Sequence, residues 1–231
     1  CGEQSAALVW CSNADRLGHL AAHPDIAGWA ALTRSSIAFY QDRPDLAARA
    51  AAHGQRATSA GTVAHARLAA QEMRAHALAG SVGGVERARA QAAASMASLP
   101  AQGEQNGVFA LAPGQDPPYL ATSFLFLGRF EDAVLATRRV LANPVPAEAR
   151  SAGLSDSSRR PEGQARALLI LGLAHAGLGQ VNQAAQAGEA ALGEQPPTWP
   201  TVALAGKLDR VLSRNCPAAV AAQDFRRHYR S

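Results

Sequence analysis

Residues 178–184 read Leu-Gly-Gln-Val-Asn-Gln-Ala, and similar stretches lie upstream at 127–133 (LGRFEDA), 82–88 (VGGVERA) and, more faintly, 41–47 (QDRPDLA). The equivalent positions 42, 83, 128 and 179 are 41, 45 and 51 residues apart. A chain that repeats a short motif at such intervals is an array of similar units. In each copy a turn residue ends one helix, an apolar residue returns to the core, and an alanine lets the next helix pack closely. The motif therefore predicts stacked antiparallel helix pairs.

The composition also favours an all-α protein. Apolar residues make up 48% of the 231 residues and aromatic residues only 5%, and alanine is abundant, which favours many closely packed helices over a sheet of β-branched residues. A chain of this length fits a single helical-repeat domain spanning 1–231. Arginines and carboxylates are interspersed, so the formal charge of +4 predicts a patchy potential and no particular affinity for nucleic acid.

Prolines, capping residues and helical periodicity divide the chain further. After a first helix at about 5–21, we expect helix pairs at about 25–58, 62–99, 117–142, 162–195 and 199–230, the last of which caps the stack. The segment 100–116 carries Val108, Phe109 and Leu111, and it either covers a neighbouring helix pair or forms a lid over a ligand groove. The segment 143–161, rich in Pro, Ser, Gly and Arg, is predicted to be a second loop, either a lid or a linker.

The fourth pair carries the most regular set of small and large residues. In order these are Leu168, Leu171, Gly172, His175, Ala184, Gly188, Ala191 and Pro196. With the exception of His175 and Gly188, where the pattern has bulkier residues, they match the tetratricopeptide signature in type, so this unit resembles a tetratricopeptide repeat with looser packing. The resemblance implies a right-handed superhelical solenoid whose concave wall is lined by the first helix of each pair.

The alanine-rich, arginine-rich repeats over residues 25–196 are also similar to the effector halves of actinobacterial transcription regulators that carry an N-terminal helix-turn-helix of the xenobiotic-response-element type. This resemblance implies a domain that binds a small molecule, a peptide or a partner protein, or forms a homodimer. No helix-turn-helix is recognisable in the sequence, so DNA would be reached only through a domain absent from this chain. Because the chain begins at a cysteine without methionine, we expect it to be a fragment of a longer polypeptide.

Superposition of the turn residues places ten side chains on or near the concave wall, among them Leu125 and Leu169. We take the other eight as the candidate ligand-binding residues: Trp29, Ser36, Phe39, Tyr40, Met73, Thr122, Phe126 and Arg166. Large apolar residues at such positions either contact a ligand or belong to the core. The most specific of these predictions is that Arg166 binds an anionic group of the ligand. An arginine that points into an apolar groove can hold a carboxylate or phosphate with two hydrogen bonds.

Catalytic and metal sites are not indicated. The sequence lacks GxxxxGK[ST], HExxH, GxSxG and a GxGxxG that follows a strand, so we expect no enzyme and no cofactor. His65 and His76 are separated by about 16 Å of helical rise, too far to share one metal ion, and are interpreted as packed or surface histidines. The carboxylates near positions 42, 45, 131 and 132 are interpreted as helix-start residues.

The remaining charged and sulfur-containing residues give weaker indications. Arg226, Arg227 and Arg230 either contact phosphates or interact favourably with the end of the last helix. The three cysteines, Cys1, Cys11 and Cys216, have neither disulfide nor zinc spacing, which favours a reducing compartment. Because the apolar runs are too short to cross a membrane and no signal region precedes them, we expect a cytoplasmic protein with no membrane partner.

Together these patterns predict a non-enzymatic sensing and interaction domain of a bacterial transcription regulator, which binds a small molecule or peptide in a concave helical groove. Ligand binding would act by shifting the population of helix arrangements. The alternative is a protein–protein adaptor scaffold without a regulatory ligand. A closed apolar cavity would favour the sensor, whereas an open groove with an exposed apolar stripe would favour the adaptor.

Overall fold

The computed structural model describes residues 3–100, 111, 116–142, 162–193 and 198–230. Within these ranges the secondary structure is entirely helical, as predicted, and consists of α1 Gln4–Leu20, α2 Pro24–Tyr40, α3 Pro44–Ala57, α4 Val63–Leu78, α5 Val82–Ala97, α6 Leu120–Phe126, α7 Phe130–Ala142, α8 Glu162–Gly177, α9 Val181–Leu192, α10 Trp199–Asn215 and α11 Val220–Arg230. Val108, Phe109, Pro196 and the segment 143–161 lie outside the described residues.

The chain divides into two compact units, Gly2–Leu127 and Gly128–Ser231. In the first unit α1 to α4 each pack against the next helix in the sequence, and α4 also contacts α2 and α6. In the second unit α7 packs on α8, α8 packs on α9 and α10, and α11 packs on α9 and α10. Helices that are neighbours in the sequence are therefore neighbours in space within each unit. The two helices of the predicted third pair, α6 and α7, belong to different units and are described with their own.

One type of turn joins five of the pairs of successive helices in the described residues. Its middle residue has a positive φ at Ala22 (54°), Asp42 (56°), Gly80 (71°), Gly128 (72°) and Gly179 (73°). After Gly179, the N–H of Gln180 donates to the carbonyl of His175 at 2.9 Å, and equivalent hydrogen bonds follow residues 22, 42 and 80. These bonds satisfy the last carbonyls of the preceding helix in the Schellman arrangement. The predicted turn positions 42, 128 and 179 match this geometry.

The turn of the second copy lies earlier than predicted. The sequence motif places it at Gly83 with a helix from about Glu86, but the residue with positive φ is Gly80. Ser81 caps α5 by accepting a hydrogen bond from the N–H of Gly84 at 3.3 Å. Gly83 and Gly84 therefore form the first turn of α5. A Cβ on Gly84 would lie 2.7 Å from Cγ of His76, so this glycine permits close helix packing.

Ala22 occupies a backbone conformation that glycine adopts more readily, because the Cβ of an L residue is crowded at positive φ. We expect Ala22→Gly to raise the free energy of unfolding by about 1 kcal/mol, measured by urea denaturation. The control is Ala21→Gly, one residue earlier at a φ of −87°, where no gain is expected. Equal losses for the two variants would contradict the prediction.

Small residues set the spacing of the helices. A Cβ on Gly54 of α3 would lie 2.7 Å from Cβ of Ala31, and one on Gly177 of α8 would lie 2.5 Å from the ring of Phe130. A Cβ on Gly188 of α9 would lie 2.5 Å from the fully buried ring of Phe225. The predicted looser packing at Gly188 is therefore wrong, because the aromatic ring of α11 fills the space that a bulky residue takes in the signature.

The core of the first unit is built around α4. Leu68 packs with Ala31, Leu32 and Ala51 of α2 and α3. On another side of α4, Leu111 is buried with Ala66, Met96 and Leu99, so this residue of the segment 100–116 covers a helix pair, one of the two roles considered for that segment. Among the described residues, no helix combines the length and apolar character needed to cross a lipid bilayer.

Candidate functional site

Helix α4 carries polar side chains on one face of an otherwise alanine-rich core helix. Arg67, Gln71 and Arg74 are spaced i, i+4 and i+7, which places them on the same side of the helix. The Gln71 side chain is fully buried, and Arg74 is only 4% exposed. Side chains of this type are seldom buried so completely, so the surroundings of this face define the candidate site.

Aromatic rings from neighbouring elements surround Arg74. The central guanidinium carbon lies 3.9 Å from the ring centroid of Phe39, 4.1 Å from that of Tyr119 and 5.4 Å from that of Tyr40. The Phe39 ring meets the ring of Tyr40 edge-on at 5.3 Å and that of Phe126 at 5.5 Å. We call Phe39, Tyr40, Gln71, Arg74, Tyr119 and Phe126 together the Arg74 cluster.

Three buried polar atoms of the cluster lack hydrogen bonds. Within the part of the chain that the structure describes, the Nε of Arg74 and both side-chain amide atoms of Gln71 have no hydrogen-bond partner. No carboxylate of the described residues forms an ion pair with Arg74. The contacts between the guanidinium and the rings stabilise the buried charge by about 2 kcal/mol. This is less than the free-energy cost of removing a guanidinium from water. We therefore expect the burial of Gln71 and Arg74 to lower the stability of the fold, as is typical of functional sites.

One of the described non-glycine residues with a positive φ lies in the cluster. Tyr119 precedes α6 and has a φ of 67°, a conformation that costs energy for a bulky residue. This conformation brings its ring against Ala69, Ala70 and Ala92 as well as over Arg74. The strained residue and the unpaired guanidinium thus share one site.

Three aromatic side chains of the cluster are less buried than the fourth. The side chains of Tyr40, Tyr119 and Phe126 are half-buried, whereas Phe39 beneath them is 2% exposed. The described side chains of the cluster include no nucleophile beside a base.

Three of the eight predicted ligand-binding residues, Phe39, Tyr40 and Phe126, belong to the Arg74 cluster. Ser36 lies one turn before Tyr40 on α2 and Trp29 about 16 Å before it by helical rise, both half-buried. Met73 and Thr122 are buried, as are Leu125 and Leu169. Arg166 is half-buried on α8 of the second unit.

Three residues of the cluster, Gln71, Arg74 and Tyr119, escaped the sequence prediction. The i, i+4, i+7 spacing of Arg67, Gln71 and Arg74 in an alanine-rich helix could have indicated the first two. The position of Tyr119 could not be inferred, because it depends on a positive φ in a residue that ordinarily avoids it.

A separate polar groove lies on the opposite side of α4. It has a volume of 340 Å³ and is lined by Ala52, Gln55, Arg56, His65, Glu72, Arg87, Ala88 and Gln91. Glu72 accepts a hydrogen bond from Gln55 and lies 3.5 Å from Nε2 of His76. His65 is buried with its Nδ1 3.2 Å from Oγ1 of Thr58, as expected of a packed histidine. None of the eight predicted residues lines this groove.

The C-terminal arginines of the second unit form ion pairs within the protein. Nε of Arg226 lies 3.1 Å from Oδ1 of Asp209, and Nη2 of Arg230 lies 3.7 Å from Oδ2 of the same carboxylate. Arg227 pairs with Asp224 on its own helix. Arg226 and Arg230 thus connect α11 to α10, and Arg230 also lies in the last turn of α11, where the helix-end interpretation placed it.

We expect Asp209→Ala to loosen α11 and to lower the free energy of unfolding by about 1 kcal/mol, since Asp209 is buried but its arginine partners are partly exposed. Hydrogen exchange of the α11 amides would report the loosening. The matched control is Asp224→Ala, which removes an exposed pair within α11 and should leave exchange unchanged. Equal effects of the two substitutions would contradict the role of Asp209.

The cysteines do not form an activated site in the described residues. Burial raises the pKa of the Cys11 thiol, and the nearby positive charge of Arg34 opposes this shift only in part. A raised pKa leaves less of the reactive thiolate at neutral pH. No group of three His, Cys, Asp or Glu side chains in the described ranges could hold a metal ion.

Comparisons of the chain with protein-family models, with curated proteins and with solved structures found no match. The resemblance to tetratricopeptide repeats therefore rests on the sequence positions given above. Because a fold by itself does not determine a function, the function has to be argued from the Arg74 cluster.

Proposed function

We propose that this chain is a non-catalytic sensing and interaction domain, built as a right-handed tetratricopeptide-like stack, that binds a small molecule or peptide at the Arg74 cluster. The proposal extends to the role expected from the sequence, that of the effector half of a cytoplasmic bacterial transcription regulator. The observation that carries it is the buried, unpaired Gln71 and Arg74 among aromatic side chains.

The helix arrangement of the first unit supports this proposal. Contacts of α4 with both α2 and α6 bring the first helices of successive predicted pairs together, as a concave wall requires. The cluster draws Phe39 and Tyr40 from α2, Gln71 and Arg74 from α4, and Phe126 from α6. A ligand that contacts all three helices would stabilise one arrangement of them, which is how a sensor converts binding into a change of conformation.

Native mass spectrometry of the purified full chain tests the proposal. The spectrum recorded under gentle conditions is expected to contain a bound molecule that is lost on denaturation. In Phe39→Ala the retained fraction should fall, because this ring contacts Arg74 and two rings of the cluster. The control Leu135→Ala removes an exposed apolar side chain from α7. Wild-type chain without a bound molecule, or retention unaffected by Phe39→Ala, would contradict ligand sensing.

A second candidate function, that of an adaptor for another protein, is favoured by helix α1. Val9, Trp10, Leu17 and Leu20 are each more than half exposed. At 100° per residue these four side chains form one stripe along the helix. An exposed apolar stripe of this kind is typical of a surface that another protein covers.

The two functions can be separated by substitutions in the two places. An adaptor would lose its partner in a pull-down when Trp10 and Leu20 are both changed to serine, and would keep it in Arg74→Met. A sensor would lose its bound molecule in Arg74→Met and would keep it in the double serine variant. The double serine variant should fold normally, because both side chains are exposed.

A further inference from the structure

Helix α1 packs on α2 with one face and carries an apolar stripe on roughly the opposite side. The face toward α2 contains the buried Cys11 and Gly18. A Cβ on Gly18 would lie 3.0 Å from the backbone N of Ala27, so the two helices are in close contact. The α1 stripe consists of four side chains that are each more than half exposed: Val9, Trp10, Leu17 and Leu20.

The size of the α1 stripe fits an interface with a second copy of this chain. The exposed parts of its four side chains amount to about 500 Å², an area typical of the largest apolar patches on single proteins. Two such stripes packed against each other would bury about 1,000 Å², the lower limit for a specific protein–protein interface. A pair of α1 helices therefore covers the stripe and reaches the area that a dimer needs.

The spacing of residues along α1 is suited to the pairing of two helices. Residues at intervals of four, three, four and three positions form one seam: Ala6, Trp10, Asn13, Leu17 and Leu20. This is the heptad spacing of helices that pack side by side. The seam is about 21 Å long, so most of α1 takes part in the contact.

The polar residue of the seam favours a second copy over an unrelated apolar surface. Asn13 lies at the middle of the seam, seven residues from both Ala6 and Leu20, and is half-buried. Against an apolar partner its amide would lose water without gaining a hydrogen bond. Against the same residue of a second copy it can both donate and accept, because the asparagine side chain carries a carbonyl and an NH₂ group. A polar residue of this kind also fixes the register of paired helices.

An antiparallel arrangement centred on this asparagine pairs the remaining side chains best. At 100° and 1.5 Å per residue, Trp10 then lies beside the partner's Leu17, and Val9 lies beside the partner's Leu20. In a parallel arrangement Leu17 would lie beside the partner's Arg16, a charged residue that is exposed in the single chain. The antiparallel arrangement also places opposite ends of the two helix dipoles next to each other.

We propose that this chain forms a two-fold symmetric dimer through the α1 stripe, in which two α1 helices pack antiparallel and Asn13 faces Asn13 of the partner subunit. Trp10, Leu17 and Leu20 form the apolar part of the contact, and the two amides form its polar centre. The dimer does not depend on ligand binding at the Arg74 cluster. It occupies the surface that the adaptor function would need for another protein.

Sedimentation velocity of the full chain tests the dimer. Because the interface is small, we expect the mean mass to rise from that of one chain toward that of two with a Kd on the order of 10 μM. Changing Trp10 and Leu20 together to serine should weaken association at least about tenfold, since a few large side chains carry most of the binding energy of an interface. The matched control changes Leu135 and Val140, two exposed apolar residues of α7, to serine and should associate like the wild type. Circular dichroism verifies that both variants fold.

Disulfide trapping tests the arrangement of the two helices. In a chain with Cys1 and Cys216 changed to serine, Asn13→Cys is expected to form a disulfide between two chains when glutathione disulfide is added, because the two residues face each other. The comparison is Ala6→Cys in the same background. In the antiparallel dimer the two copies of this residue are about 21 Å apart along the helices, too far for a disulfide, whereas in a parallel dimer they are adjacent.

Several outcomes would overturn the inference. A chain that stays single up to about 200 μM, far above the expected Kd, or a double serine variant that associates like the wild type, would refute the dimer. A single chain that binds a different protein through Trp10 and Leu20 would refute it in favour of the adaptor. A disulfide in Ala6→Cys without one in Asn13→Cys would refute the antiparallel arrangement.

The proposed function fails separately from this inference. A single chain that retains a bound molecule in native mass spectra would refute the dimer and leave ligand sensing in place. A dimer that retains nothing would refute ligand sensing and leave the α1 interface in place.

Discussion

Replacing Gly188 by leucine is expected to lower the free energy of unfolding by about 3 kcal/mol. Even a Cβ at this position would lie 2.5 Å from Cε2 of Phe225 and 2.7 Å from Cδ2 of Leu208. Both neighbours are fully buried, so neither ring nor methyl group can move without disturbing the contacts of α9 with α10 and α11. Chemical denaturation followed by circular dichroism measures the loss.

Two comparisons test whether the contact with Phe225 causes the loss of stability in Gly188→Leu. Gly163→Leu makes the same substitution near the start of α8, where an added Cβ meets no atom within 4 Å, and should be neutral or slightly stabilising. In Phe225→Ala the ring that blocks residue 188 is absent, so the cost of Gly188→Leu in this background should be smaller than in the wild type. Additive losses, or an equal loss in Gly163→Leu, would show that the Phe225 contact is not responsible.

Replacing Arg74 by methionine is expected to raise the free energy of unfolding of the ligand-free chain by about 2 kcal/mol. Methionine fills a similar volume against Phe39 and Tyr119 but does not require the desolvation of an unpaired charge. Gln71→Leu should also stabilise, by about 1 kcal/mol, because it removes two buried atoms without hydrogen-bond partners. Urea denaturation of the chain freed of bound molecules gives both values.

The exposed Arg87 supplies the control for this prediction, since Arg87→Met should change stability by less than about 0.5 kcal/mol. A clear loss of stability in Arg74→Met would show that the aromatic contacts more than offset the burial of the charge. Arg74 would then be a structural residue, and the functional interpretation of the cluster would lose its physical basis.

The helices and most of the turns could be predicted because the signals are local. Gly128, Gly179 and Asp42 stand where the chain must adopt a positive φ, and each is followed by an apolar residue and an alanine. The second turn was misplaced because Gly80, Gly83 and Gly84 lie close together in the sequence. Only the packing of Gly84 against His76 shows that this glycine serves helix contact and not the turn.

The aromatic half of the candidate site could be predicted and its polar half could not. Phe39, Tyr40 and Phe126 follow from the periodicity of two first helices in predicted pairs. Arg74 was overlooked because long charged side chains on a helix are usually at the surface, and its burial arises from Phe39 and Tyr119, which are distant in the sequence. The carboxylate-binding role predicted for Arg166 stays a prediction.

A polar pair kept inside an alanine-rich core explains why the cluster suits a sensor. Without ligand, the unpaired atoms of Gln71 and Arg74 weaken the packing of α4 against its neighbours. A ligand that satisfies them adds stability to the arrangement that it contacts, in proportion to its concentration and affinity. The unfavourable energy of Gln71 and Arg74 in the free chain therefore becomes a difference in stability between the free and the ligand-bound chain. A regulator requires such a difference.

The most direct test of the cluster observes the Arg74 Nε–H itself. In a chain labelled with ¹⁵N-arginine, the Nε–H signal assigned through its loss in Arg74→Met reports whether this donor gains an acceptor. The ligand-binding account predicts that adding back the molecule released on denaturation moves the signal downfield and slows its exchange with water, while the Arg87 signal stays in place. An Arg74 signal unchanged at concentrations of that molecule that saturate binding would contradict the central claim that this buried guanidinium holds the ligand.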